Sequence, residues 1–267
     1  MIINKLRRVW RRRFCNPAAE ADATCWDRPI EFLRQKWHEV PGHLRVNTRD
    51  LINLPDDELL TFWQREFQQA TSGDLYSGRG WYHEKYLSDM PSCHLVDFGS
   101  GLGFDSLHFA EVAEQVTCVD IVPENLEVIN RVARLLGRDN VTTCLISGLE
   151  SFQALPENYD ILLAQGSLHH APAHVVIPEV QALAGRLRPG GRWLQLAYPK
   201  SRWIREGCLP FHRWGKITDG DATPWAEWLD LDTVISRMGP LEFDTHASFE
   251  FHNGEFIWFD LIKRSAP

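Results

Sequence analysis

Val96-Asp97-Phe98-Gly99-Ser100-Gly101-Leu102-Gly103 decides how the rest of the chain is read. A short apolar strand, His94 to Phe98, runs into three glycines and then into a helical stretch, Phe104 to Ala113. Glycines at such a junction let the backbone turn tightly and let a ligand approach where a Cβ would clash. Spacing separates the ligand classes. The dinucleotide fingerprint is GxGxxG; here the spacing is GxGxG, with Phe104 where the third glycine would fall. Asp97 stands two residues before the first glycine. A carboxylate there repels a pyrophosphate and can accept a hydrogen bond from an ammonium or hydroxyl, which suits a cationic, phosphate-free ligand.

Working outward, strand and helix alternate. Val116 to Ile121 reads as a second strand, Glu124 to Leu136 as a helix, Val141 to Ile146 and Tyr159 to Ala164 as the third and fourth strands. A helix over Ala173 to Leu187 is closed by Arg188-Pro189-Gly190-Gly191, and Arg192 to Tyr198 is a fifth strand. Near-continuous apolar strands separated by helices imply a parallel sheet covered on both faces. The tail departs from this rhythm. After a helix over Leu231 to Met238, Phe243 to Phe251 and Glu255 to Lys263 are joined by His252-Asn253-Gly254, an Asn-Gly hairpin signal. Residues 1–90 are read as a helical and irregular cap, with a helix over 56–70 in which Leu59, Leu60, Trp63 and Phe67 share one face. Residues 91–267 are read as the core, with an insertion at 201–230.

Composition narrows the function. The chain has 267 residues, 44% hydrophobic and 24% charged, with a mean hydropathy of -0.29 and no apolar run long enough to span a membrane. Net charge is -8, yet residues 1–14 hold six basic side chains and no acid, leaving -14 on the remainder. An acidic body argues against a nucleic-acid partner and for a small molecule. The six cysteines are scattered without a CxxC pair, so no metal site is expected, and a reducing cytoplasm is the expected location. Ile3, Leu6, Trp10 and Phe14 form one stripe of a basic amphipathic helix over 2–14. Such a helix can lie on an anionic membrane surface, but packing on the acidic body or a loose tail is the preferred reading.

The block VDFGSGLG, the acid Asp120 at the end of the second strand, 23 residues after Asp97, and the later Leu168-His169-His170 together resemble the class I S-adenosylmethionine-dependent methyltransferases. Leu187-Arg188-Pro189-Gly190-Gly191-Arg192-Trp193 resembles their turn before the fifth strand. The resemblance covers roughly residues 94–199. It implies a Rossmann-like α/β fold with a seven-stranded, mostly parallel sheet in the order 3-2-1-4-5-7-6, the last strand antiparallel. It implies S-adenosylmethionine over the carboxyl ends of the strands, with Asp97, Gly99, Ser100, Gly101 and Gly103 near the methionine part. An acid placed like Asp120 can take both ribose hydroxyls, and Ile121 can pack on the purine. Where the family shows an Asp for the adenine amine, this chain has Ser147-Gly148-Leu149-Glu150. Backbone groups of Gly148 and Leu149, or the Ser147 hydroxyl, are expected to substitute. Gln165 opens the segment after the fourth strand and is taken as a further cofactor contact.

That segment, Gln165-Gly166-Ser167-Leu168-His169-His170, lacks the (Asn/Asp)-Pro-Pro-aromatic motif of base-modifying relatives and resembles the small-molecule branch. A sugar or secondary metabolite, methylated on oxygen, nitrogen or carbon, is the expected acceptor. Imidazole titrates near neutral pH, so His170 is the first candidate for the base and His169 the second, with Tyr198 and His212 in reserve. The basic and aromatic insertion suits an anionic or sugar-like acceptor, or else a cap held by cation–π contacts. Arg79, Trp81 and Tyr82 are candidates for a lid, or for packing within the cap. Two alternatives stand beside methyl transfer. One is a cofactor-binding protein of this fold without catalysis; the other is a nicotinamide-dependent oxidoreductase.

Overall fold

A computed structural model describes residues 30–39, 46–72 and 80–265. The expected helix over 2–14 and Arg79 lie outside the described residues.

The N-terminal part contributes α1 (Ile30–Trp37), α2 (Thr48–Leu51), α3 (Asp56–Thr71) and α4 (Trp81–Leu87). The core follows as β1 (His94–Phe98), α5 (Phe104–Phe109), β2 (Gln115–Asp120), α6 (Pro123–Leu135), β3 (Val141–Leu145), β4 (Tyr159–Gln165), α7 (Ala173–Arg186) and β5 (Leu187–Pro199). The insertion forms α8 (Lys200–Arg205), α9 (Phe211–Asp219) and the two-residue β6 (Trp228–Leu229). Then come α10 (Leu231–Arg237), β7 (Phe243–Phe251) and β8 (Phe256–Lys263).

The sheet order is β3-β2-β1-β4-β5-β8-β7, with β6 pairing the end of β5. This is the expected order once the hairpin strands are counted as sixth and seventh, plus one short added strand. β1 to β5 pair in parallel, and β8 runs antiparallel to both β5 and β7. All carboxyl ends of the parallel strands therefore open on one edge, where ligands bind in this architecture.

Successive strand residues face opposite sides. Leu95, Cys118, Leu163 and Trp258 join one core with Leu59, Trp63, Tyr86 and Val128. Val96, Val119, Leu162 and Phe259 join the other with Val180, Leu183 and Trp193. The N-terminal helices α3 and α4 thus share a core with the sheet. The Trp63 indole N–H also donates to the Leu102 carbonyl at 2.7 Å, tying α3 to the glycine loop.

Two boundaries differ from expectation by more than one residue, and the helix α4 was not expected. β5 starts at Leu187, and the Pro-Gly-Gly turn is absorbed into it as an irregularity, with Leu187 pairing Tyr159 before the register shifts. α5 stops at Phe109, because the chain must turn to bring Ala113 against Pro91 before β2 begins. α4 was hidden in an aromatic and glycine-rich stretch; its helical spacing puts Tyr82 and Tyr86 on one buried face.

Candidate functional site

At the carboxyl edge lies a cavity of about 1260 Å³. A pocket for one drug-sized ligand holds roughly 300–1,000 Å³, so this one has room for two molecules.

One half is built on the glycine loop. Gly99 and Gly101 sit at φ of 79° and 54°, a region an L side chain rarely adopts. A Cβ on Gly99 would fall 2.4 Å from the Ser167 Cβ, so glycine is required for the loop to pass the end of β4. The loop is fixed by N–H donation from Gly99 and Ser100 to the Val119 carbonyl at 2.7 and 3.1 Å. Asp120, at the end of β2, accepts from the Gly101 N–H at 2.9 Å, the Val122 N–H at 2.8 Å and the Asn125 amide at 3.3 Å. Burial pushes its acid up despite these donors. A carboxylate has about four acceptor sites, so capacity remains for a ligand hydroxyl.

Of the residues singled out from sequence, Gly99, Ser100, Gly101, Asp120, Ile121, Gly148, Leu149, Gln165 and His170 line this cavity. Asp97, Gly103 and His169 are not among the residues that line it. Asp97 is buried behind the loop, where the Ser106 hydroxyl donates to its Oδ2 at 2.5 Å. Burial, with Asp105 and Asp120 nearby, pushes its acid up to about 8. Gly103 turns away from the cavity; a Cβ there would meet Ile129 at 2.8 Å. His169 is fully buried, its ring 4.6 Å from that of Tyr198, and burial holds its pKa far below the usual imidazole range.

His170 is placed differently. Its Nδ1 lies 3.1 Å from the Trp225 carbonyl. A carbonyl only accepts, so Nδ1 carries the proton, and in the neutral ring Nε2 keeps its lone pair. Nε2 has no hydrogen-bond partner among the described residues. The Trp37 ring packs 4.6 Å away.

Two features of the site escaped sequence reasoning. The first is α1, whose Leu33 and Trp37 line the cavity. Arg34 anchors this helix by donating to the Ile121 and Ile146 carbonyls at 2.6 and 3.1 Å, past the ends of β2 and β3. Five of the chain's 11 tryptophans fall in residues 1–90, and that surplus does not single out Trp37. The second is the acidic wall of Glu179 and Asp219. The lid candidates Trp81 and Tyr82 pack in the core instead, Trp81 against Phe249, Phe251 and Trp258. The Tyr82 hydroxyl donates to Asp105 at 2.7 Å. Tyr198 lines the cavity; none of the tryptophans of the insertion does, and they form a cluster with Phe211 that Tyr198 joins.

Among the described residues no group of His, Cys, Asp or Glu is arranged to hold a metal ion, and no helix is long and apolar enough to cross a membrane.

Comparison with known proteins agrees with this architecture. Residues 95–191 match the family model described as a methyltransferase domain. A ubiquinone biosynthesis O-methyltransferase of Xanthomonas campestris pv. campestris is 30% identical over 105 residues, which are 38% of this chain and 41% of that protein. The chain thus matches well under half the length of this curated relative. Among solved structures, the [4+2]-cyclase SpnF superposes with a TM-score of 0.56 at 11% identity, over 78% of this chain and 93% of that one. YcgJ from Bacillus subtilis gives 0.53 at 18% identity, over 69% and 98%. The magnesium protoporphyrin IX methyltransferase of Synechocystis, solved with bound S-adenosylhomocysteine, gives 0.51 at 16% identity, over 77% and 94%. These likenesses establish a shared fold, and the family match places a methyltransferase domain at residues 95–191, the stretch that carries the glycine loop and Asp120.

Proposed function

We propose that this chain binds S-adenosylmethionine in the glycine-loop half of the cavity and methylates a small molecule held in the other half. The observation that carries the reading is the continuity of one cavity from Asp120 and the glycine loop to His170 and Tyr198. The residues present fit the cofactor. Asp120 offers an acceptor for the ribose, and Ile121 and Leu149 offer aliphatic walls for a purine. Ser147, Gly148 and Leu149 line the cavity where an adenine edge needs polar partners. Bound there, the cofactor supplies an electrophilic methyl carbon on a sulfonium.

The chain's own part is alignment, exclusion of water and proton removal. Trp37 and Leu33 roof the site from α1. His170 is the base in this reading: its Nδ1–H is committed to the Trp225 carbonyl, so Nε2 is the atom that takes the acceptor's proton. Fold alone does not specify methyl transfer, since a [4+2] cyclase shares it. The family match favours transfer over the nicotinamide alternative.

Calorimetry with S-adenosylhomocysteine and with NAD tests the cofactor half. Saturable binding of the first and none of the second is expected; the reverse would overturn the reading. Incubation with S-adenosylmethionine and a metabolite extract, followed by mass spectrometry, should reveal a product heavier by one methylene. Tight cofactor binding without any methylated product would favour a protein of this fold that has lost the chemistry.

A further inference from the structure

The wall of the acceptor half carries hydrogen-bond acceptors in want of donors. The basic residues of the insertion are already engaged there. Arg202, which lines the cavity, is held by Glu206 at 3.0 Å and Glu255 at 3.1 Å, and its guanidinium lies 4.7 Å from the Tyr198 ring. Arg205 pairs with Glu255. An anionic acceptor would therefore find no uncommitted arginine or lysine on this wall among the described residues.

The acids are in the opposite condition. Asp219 closes α9 and accepts from the Tyr198 hydroxyl at 2.7 Å through Oδ1. Its Oδ2 is buried with no partner among the described residues, although the residue lines the cavity. The carbonyl end of a nine-residue helix adds negative potential at the same place. Glu179, on α7, also lines the cavity with no partner among the described residues, and burial pushes its acid up to about 7. His170, itself buried, presents a lone pair to the cavity, and its ring is 6.2 Å from that of Tyr198. Two acceptor atoms, Asp219 Oδ2 and His170 Nε2, thus flank Tyr198. Trp37 and Phe256 supply aromatic surface around them. Aromatic faces beside carboxylates select cations.

We propose that the methyl acceptor is a small molecule bearing an ammonium group, held by Asp219 Oδ2 with Tyr198 positioning that carboxylate. The proposal rests on the reading that this half of the cavity takes the acceptor. It departs from the anionic or sugar-like acceptor that the residue types of the insertion suggested, because the structure pairs those arginines internally.

Three probes of one shape separate the possibilities: phenethylamine, phenethyl alcohol and phenylacetate. Each is titrated by calorimetry into the full chain saturated with S-adenosylhomocysteine. Phenethylamine is expected to bind roughly tenfold or more tightly than the alcohol, the size of a charge-assisted hydrogen bond, and phenylacetate most weakly. Asp219→Asn, which keeps the shape, should bring the amine within about threefold of the alcohol; an unchanged affinity for S-adenosylhomocysteine shows that the variant is folded. Preference for phenylacetate, equal binding of amine and alcohol, an unchanged amine preference in the variant, or no binding of any probe would each overturn the proposal. Failure to saturate with S-adenosylhomocysteine is a separate outcome: it would overturn the cofactor reading, and the three probes titrated into the free chain would still decide the ammonium proposal.

Discussion

The two halves of the cavity are built in opposite ways. The cofactor half is local: Gly99, Ser100, Gly101 and Asp120 come from one β-α-β unit, and each is placed by a backbone constraint. The acceptor half is assembled from distant parts of the chain. Trp37 comes from α1, His170 from the loop after β4, Glu179 from α7, Tyr198 from β5, Asp219 from α9 and Phe256 from β8. A strand-to-loop-to-helix turn fixes its residues by spacing. A wall made of six elements has no spacing rule, and its chemistry depends on which charges are already satisfied.

The contrast predicts that substitutions in the two halves separate binding from turnover. The largest effect is expected from His170→Ala. Turnover should fall about 10²–10⁴-fold, the usual range for loss of a general base. Affinity for S-adenosylhomocysteine should stay within about twofold, because no cofactor contact is assigned to the ring. A fall below tenfold in turnover would take the proton-acceptor role from His170. An equal loss of cofactor affinity would break the division into halves.

The same contrast explains what was legible. The strands and their order were readable because parallel strands buried on both faces give near-continuous apolar runs, and His94 to Phe98 and Phe243 to Phe251 have the boundaries expected of them. The glycine loop was readable because positive φ leaves glycine as the fitting residue. Asp97 shows the limit of such reading. Its position in the motif was clear, but that its carboxylate points behind the loop to Ser106 is a packing outcome with no sequence signature. Arg202 and Arg205 show a second limit. Residue type announced a basic wall, while pairing with Glu206 one helical turn away and with Glu255 at the hairpin turn leaves the surplus on the acids. α1 was invisible because one tryptophan and one arginine do not announce a roof.

Gly99→Ala probes the local half at its tightest point. The added Cβ would lie 2.4 Å from the Ser167 Cβ, at a φ of 79°. The left-handed conformation costs roughly 1–2 kcal/mol and overpacking about 1–3 more. The melting temperature should drop by roughly 4–20 °C for a chain of this size. An unchanged melting temperature would mean that the loop and the end of β4 are free to part. Asp120→Ala should act on binding: loss of a charge-assisted hydrogen bond costs about 1.5–3 kcal/mol. S-adenosylhomocysteine should then bind roughly 10- to 100-fold more weakly by calorimetry. Affinity within threefold of the parent would remove Asp120 from the cofactor site.

The effect that sharpens the local half most concerns Asp97. Its acid is pushed up to about 8, chiefly by burial, with the charges of Asp105 and Asp120 adding to it. In the unfolded chain the same group ionises in the ordinary carboxylate range. Between roughly pH 4 and 8 the folded protein therefore holds a proton that the unfolded chain has released. The contribution is most favourable to folding below that window and is lost as pH rises through it. Asp97→Asn keeps the shape and can still accept from the Ser106 hydroxyl, but it has no charge to bury. Melting curves without cofactor at pH 5, 6, 7 and 8 should show the variant gaining on the parent with each step upward. A constant difference across the series would show that Asp97 ionises normally in the folded chain. The carboxylate would then be charged behind the loop at neutral pH and would add its field to that of Asp120 on any cationic ligand in the glycine-loop half.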